Sequence, residues 1–386
     1  MFIEIKEEKK VEYLELIYDL IFVYIIGRNN SLLHHVEGGF ISLETFLTYA
    51  LATLAVIQIW NYSTFYINMF GRNGLRDHIF LFLNMYLLYY IGEGTRTDWY
   101  RFQNQYHIAW ALILINIGVQ YLIERWNHMD EPGVLKSIHS MLIPLFGETL
   151  IVLTAIPIFN ATGHQIALVA VLFGVIITWI LANDEKAEMI DFPHLSERAM
   201  LYVVFSFGEM IITISEYFEG GFSLNSLYFS LMCFLIVVAL FLCYGFLYDR
   251  VIDRERRTTG LLYMIIHIFL IFAMNNITTA LSFMREEEIS LTPKIVFLTG
   301  SMLLYFFCMF ALLGFAKQTL SVCRRLLLKV VLISALFAAS MILFKTNMRL
   351  NIAISVAYVF AIFIALYVFS RQESLPAQKK IEAAGY

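Results

Sequence analysis

Four acidic side chains fall inside otherwise apolar runs of the sequence: Glu15, Asp19, Glu148 and Glu209. An ionisable group at membrane depth is costly, so each is a candidate for holding or moving charge. Glu148 and Glu209 share a context, Phe146-Gly147-Glu148 and Phe207-Gly208-Glu209. Each lies about eleven residues into its run, which places it roughly 16 Å along a helix, near the middle of a hydrocarbon core about 30 Å thick. A Gly beside each acid lets a neighbouring helix come close. No Lys or Arg occupies the middle of an apolar run. These two acids must therefore carry a proton, bind a cation, or accept hydrogen bonds from neutral groups such as Gln58, Asn61, Asn84, Asn116 and Asn275.

Glu15 and Asp19 are four residues apart, and so share one helical face that Glu12 extends by a turn. Like charges at that spacing call for a proton, a cation or a basic partner. Two readings stand side by side: an ion pair with Arg72, Arg76 or Arg198 that locks helix ends, or a relay at the cytosolic mouth of a transport path. Pro144, four residues before Glu148, removes a helix hydrogen bond and frees the Ser140 carbonyl, so a kink is expected there. Tyr62 and Tyr66 read first as members of an aromatic belt at the membrane interface.

The elements that must position these groups follow from composition. The 386 residues are 60% hydrophobic and 15% charged, against about 45–50% and 25% in soluble domains. That excludes an ordinary soluble protein, and 4 Cys exclude a disulfide scaffold. Apolar runs occur at 13–27, 46–68, 79–92, 105–123, 138–158, 165–182, 199–215, 224–248, 260–284, 295–316, 327–344 and 350–370. The expected fold is an all-α polytopic transmembrane bundle of about 12 spans, the first and third being short. With the N-terminal tail inside, 20 of the 27 Lys and Arg fall on the cytosolic side, so both termini are expected in the cytosol. An offset of 182 residues lays run 1 on run 7 and brings Glu15 onto Glu197, Tyr62 and Tyr66 onto Tyr244 and Tyr248, and Arg72 onto Arg254. The expected organisation is a tail at 1–12, six-helix halves at 13–190 and 191–370 with parallel topology, and a tail at 371–386.

Several chemistries have no foothold. The Cys residues are dispersed with no Cys-x-x-Cys pair, so structural zinc is not expected. Gly71-Arg72-Asn73-Gly74 and Gly92-Glu93-Gly94 lack the strand and the Lys-Ser/Thr of a phosphate loop. The basic loop Arg254–Arg257 reads as a topology and anionic-lipid signal, not as a nucleic-acid site. No cofactor is called for, and the partners expected are the lipid bilayer and a small solute or ion.

Glu15-Leu16-Ile17-Tyr18-Asp19-Leu20-Ile21-Phe22-Val23 resembles the first-helix signature of the bacterial low temperature requirement protein A family. Trp60-Asn61-Tyr62 strengthens the match. So does His194-Leu195-Ser196-Glu197-Arg198 followed by Gly208-Glu209, which is similar to the family's second signature; Arg28 departs from the pattern, where relatives more often carry Gln. The resemblance implies a multi-pass protein of the bacterial cytoplasmic membrane associated with growth in the cold, and supplies no reaction. The residues themselves favour a transporter of small solutes or ions, proton- or cation-coupled, with Glu148, Glu209, Asp19, Glu15, Asn61 and Asn275 as binding groups. The alternatives are an integral-membrane enzyme acting on lipid, with a His such as His194 or His267 beside its carboxylates, a channel, or a non-transporting scaffold.

Overall fold

A chain this apolar, surrounded by lipid, must satisfy its backbone N–H and C=O groups internally, and helices do so within each segment. The computed structural model describes residues 9–34, 36–94, 99–163, 165–181, 188–218, 221–286, 288–317 and 324–383. Among them are twelve α-helices: α1 Tyr13–Asn29, α2 Leu43–Phe70, α3 Leu75–Gly94, α4 Trp99–Asn127, α5 Pro132–Thr162, α6 Leu168–Ile180, α7 Phe192–Ser215, α8 Leu224–Phe246, α9 Leu261–Phe283, α10 Leu291–Ala311, α11 Arg324–Leu343 and α12 Met348–Ala383. Each coincides with one apolar run of the sequence. Nine of them, α2, α4, α5 and α7–α12, are long and apolar enough to cross a membrane. Of the rest, α1 has 17 residues and α6 has 13, and α3 opens with the polar Arg76, Asp77 and His78.

Local signals set several boundaries. Ser42 accepts a hydrogen bond from Thr45 N at 3.1 Å to start α2, and Ser223 does the same for α8 through Ser226 N at 3.0 Å, each satisfying an amide that the first turn leaves free. Helix α5 ends at Gly163 with φ +72°, a conformation that suits glycine. It runs as one helix through Pro144 and Pro157. Between α1 and α2 a hairpin pairs Val36 with Ile41 and Glu37 with Phe40. Its turn, Gly38 and Gly39, has φ +63° and +90°, as two-residue hairpins require. A π-helical turn, Leu247–Val251, follows α8, and α12 continues beyond residue 370 to Ala383.

The chain forms two compact units, Met1–Phe205 with Arg254–Phe272, and Ser206–Asp253 with Ala273–Tyr386. In the first, α2 is central and touches α1, α4 and α6, while α5 packs on α4 and α6. From Thr48 to Phe70 almost every residue of α2 is buried. In the second, α12 packs along α8 and α11, and Phe337 stacks on Tyr358 with ring centres 4.0 Å apart.

Candidate functional site

Two clusters of buried polar side chains lie on opposite faces of α2. Trp60 and Tyr62 are two residues apart, about 200° around a helix, so the indole and the phenol point to different neighbours.

On the Trp60 face, α1 meets α7. Arg198 is fully buried, and its Nη2 contacts Asp19 Oδ1; its Nε lies 3.4 Å from Asp19 Oδ2 and 3.3 Å from Glu15 Oε2. Trp60 Nε1 donates to Asp19 Oδ1 at 2.8 Å, and His194 Nε2 is 3.3 Å from Glu15 Oε2. His194 Nδ1 bonds Asn68 at 2.9 Å, and Asn68 clasps the Asp191 backbone through both its amide groups. Asp191 in turn caps α7 by accepting from His194 N. Lys9, just before α1, donates through Nζ to the Ile67, Asn68 and Gly71 carbonyls at the end of α2. Burial pushes its pKa below the ordinary lysine value, against the pull of Glu15. Of the three arginines the sequence offered to Glu15 and Asp19, Arg198 takes both. Arg76 instead pairs with Glu124 at 2.6 Å and donates to Tyr66 Oη at 3.1 Å.

On the Tyr62 face, α2 meets α5 and α6. Glu148, near the middle of α5, is fully buried. Tyr62 Oη donates to its Oε2 at 2.9 Å, and Gln58 Nε2 donates to the same oxygen at 3.0 Å. Gln58 and Tyr62 are one turn apart on α2 and also bond each other at 3.0 Å. Oε1 has no hydrogen-bond partner among the described residues; the Trp110 indole approaches the carboxyl without completing a bond. No cationic side chain among the described residues pairs with it. The wall opposite is Gly174 of α6: a Cβ there would collide with Gln58 Nε2, Glu148 Oε2 and Tyr62 Oη.

These contacts revise parts of the sequence reading. Tyr62 is not a belt residue, because its hydroxyl is committed to a buried carboxyl. Gly147 does permit a close approach, since a Cβ would strike the Phe173 ring, but a Cβ on Gly208 would meet nothing within 4 Å. Gly174 escaped notice, having no charged neighbour in sequence to advertise it. Glu209 is half-buried on α7 in the second unit, and Asn275 is buried on α9 in the same unit. Asn61 is buried on α2 between the two clusters, and its Oδ1 has no hydrogen-bond partner among the described residues. Among the described residues no three His, Cys, Asp or Glu side chains group so as to hold a metal ion.

Long apolar helices enclosing a buried carboxyl, an ion cluster and amide pairs define a multi-pass helical membrane protein. Within that class the family is settled by comparison. The bacterial low temperature requirement A protein (LtrA) family matches residues 10–367, nearly the whole chain, and the chain belongs to it. No curated protein matches the chain.

Proposed function

We propose that the protein is a transporter of small solutes or ions in the bacterial cytoplasmic membrane, coupled to protons through Glu148. The observation that carries this reading is the asymmetry of the Glu148 carboxyl. Tyr62 and Gln58 occupy Oε2, while Oε1 accepts no completed hydrogen bond and meets no cation among the described residues, the Trp110 indole lying close by. A buried charge is retained at low cost only when paired or hydrogen-bonded. Here the two donors hold the carboxyl in place in either protonation state, and a proton enters and leaves at Oε1. Glu209 is the counterpart carboxyl of the second unit in this reading. Glu15 and Asp19, both paired with Arg198, hold α1 to α7 at the mouth of the path. The halves expected from the sequence, related by an axis along the membrane normal, would alternate access by rocking one against the other, with both termini cytosolic.

The test is proton flux in proteoliposomes that carry an internal pH-sensitive dye, started by adding a panel of small metabolites and inorganic ions outside under an imposed membrane potential. Wild type is expected to move protons, and Glu148→Gln, which keeps the shape and cannot carry a proton, is expected not to. Equal flux in the two proteins, or none in wild type, overturns the reading.

A further inference from the structure

Glu148 Oε1 is one of several buried oxygens at its site without a hydrogen-bond partner among the described residues. Gln58 spends its amide nitrogen on Glu148 and Tyr62, and its Oε1 is left unpartnered. Thr178, four residues along α6 from Gly174, brings its hydroxyl to the Tyr62 phenol without completing a bond, and its Oγ1 is unpartnered too. Glu148 is 0%, Gln58 2% and Thr178 5% exposed.

The three oxygens share one small volume. Gln58 Oε1 is bonded to the same carbon as the Nε2 that lies 3.0 Å from the carboxyl, and Thr178 reaches the phenol that lies 2.9 Å from it. The site closes on bare backbone at Gly174, where a single Cβ would overlap Gln58 Nε2, Glu148 Oε2 and Tyr62 Oη together. Helices α2, α5 and α6 thus bring carboxyl, amide and hydroxyl oxygens around one acid that has no cationic side chain.

That donor set selects its ligand. Oxygens without thiolate or imidazole suit hard cations rather than transition metals. Ca²⁺ takes about six to eight oxygens, and Mg²⁺ demands a near-octahedral shell that keeps several waters. Either would also leave an uncompensated positive charge beside a single buried carboxylate, which is costly. A monovalent cation leaves none, and packing this close on Gly174 favours Na⁺ over the larger K⁺. We infer that Glu148 Oε1, Gln58 Oε1 and Thr178 Oγ1 form a sodium site, which takes Na⁺ in exchange for the proton of Glu148.

This inference rests on the reading of Glu148 as an exchangeable carboxyl, and adds that Na⁺ and the proton exclude one another there. Facing the carboxyl are Gln58 and Tyr62 from α2, Trp110 from α4, and Gly174 and Thr178 from α6. The Tyr62 phenol is the titratable group among them, and none is charged. Sodium binding therefore follows the carboxyl itself: it is present when the proton is off and lost as pH falls.

The experiment is equilibrium binding of radioactive sodium to the full chain purified in detergent, with choline chloride holding the ionic strength constant. Wild type is expected to bind one Na⁺ per chain at alkaline pH and to release it on acidification, with K⁺ displacing the label far less than unlabelled Na⁺ does. Glu148→Gln is expected to abolish binding. Thr178→Val, which keeps the shape and removes one oxygen, is expected to weaken it about ten- to hundred-fold, the worth of one contact to a charged group. No binding in wild type at any pH overturns the proposal, as does K⁺ displacing the label as well as Na⁺ does; both hold whether or not a variant folds. Unchanged binding in folded Glu148→Gln or Thr178→Val overturns it as well. Binding is read without flux, so its absence leaves proton flux through Glu148 standing, and sodium binding without proton flux strikes the transport reading alone.

Discussion

Asp19 and Glu148 are both buried carboxyls in one unit, yet their surroundings solve the same physical problem in opposite ways. Asp19 meets an arginine, an indole and the neighbouring Glu15–His194 pair. Glu148 meets a phenol, an amide and the bare backbone of a glycine. The first arrangement cancels charge with charge and fixes helices to one another. The second supplies hydrogen bonds without a counter-charge, which is the arrangement the proposed proton exchange calls for. Residue type alone does not tell an acid paired with a cation from one held by neutral donors; the partner does.

The contrast breaks most sharply at Arg198. Arg198→Met leaves Glu15 and Asp19 buried without a cation and is expected to cost about 3–5 kcal/mol, read as a large fall in the thermal midpoint of the purified protein. An unchanged midpoint would mean that the cluster does not hold the fold. Gly174→Ala pushes a methyl group into Gln58, Glu148 and Tyr62 and should destabilise by about 1–3 kcal/mol, with proton flux falling alongside. Full flux in a folded Gly174→Ala protein would show that the carboxyl need not sit where it does. Tyr62→Phe removes one of two donors to Oε2, for about 1 kcal/mol, and should slow flux while Glu148 stays in place. Glu148→Gln should cost no more than about 1–3 kcal/mol, since its amide oxygen can accept both bonds and only its NH2 is left on the unpartnered side, while flux disappears. A large loss of stability there would move Glu148 into the structural class.

The smallest effect belongs to Lys9. Because its pKa is lowered from 10.5 by burial, the unfolded chain holds that proton more tightly than the folded one. Wild type should therefore gain stability relative to Lys9→Gln as pH rises through the lowered value towards about 10.5, and show no such gain below it. Paired melting curves across that range measure it, and a constant difference would mean that Lys9 titrates normally.

The helices were readable because a bilayer translates apolar length directly into structure, and each apolar run became one helix. Glu148 was readable for the same reason, as a lone charge in an apolar run. Its partners were not. Gln58 was one amide among several, and Tyr62 belongs to a residue type that usually sits at interfaces. Gly174 bears no side chain to attract attention; only tertiary packing of α2, α5 and α6 makes its missing Cβ matter. Arg198 was one of three equal candidates for Asp19, since nothing local to either sequence segment ranks partners so far apart.

That separation has a consequence for how the chain is made. Arg198 follows Asp19 by 179 residues, so at about 5–20 residues per second it leaves the ribosome roughly 10–35 s later. For that interval the two acids of the first helix lack their arginine. An acid at the centre of an inserting helix costs about 2.5–3.5 kcal/mol, and α1 is only 17 residues long. The opening helix therefore gains its buried ion pair only once the seventh has been made.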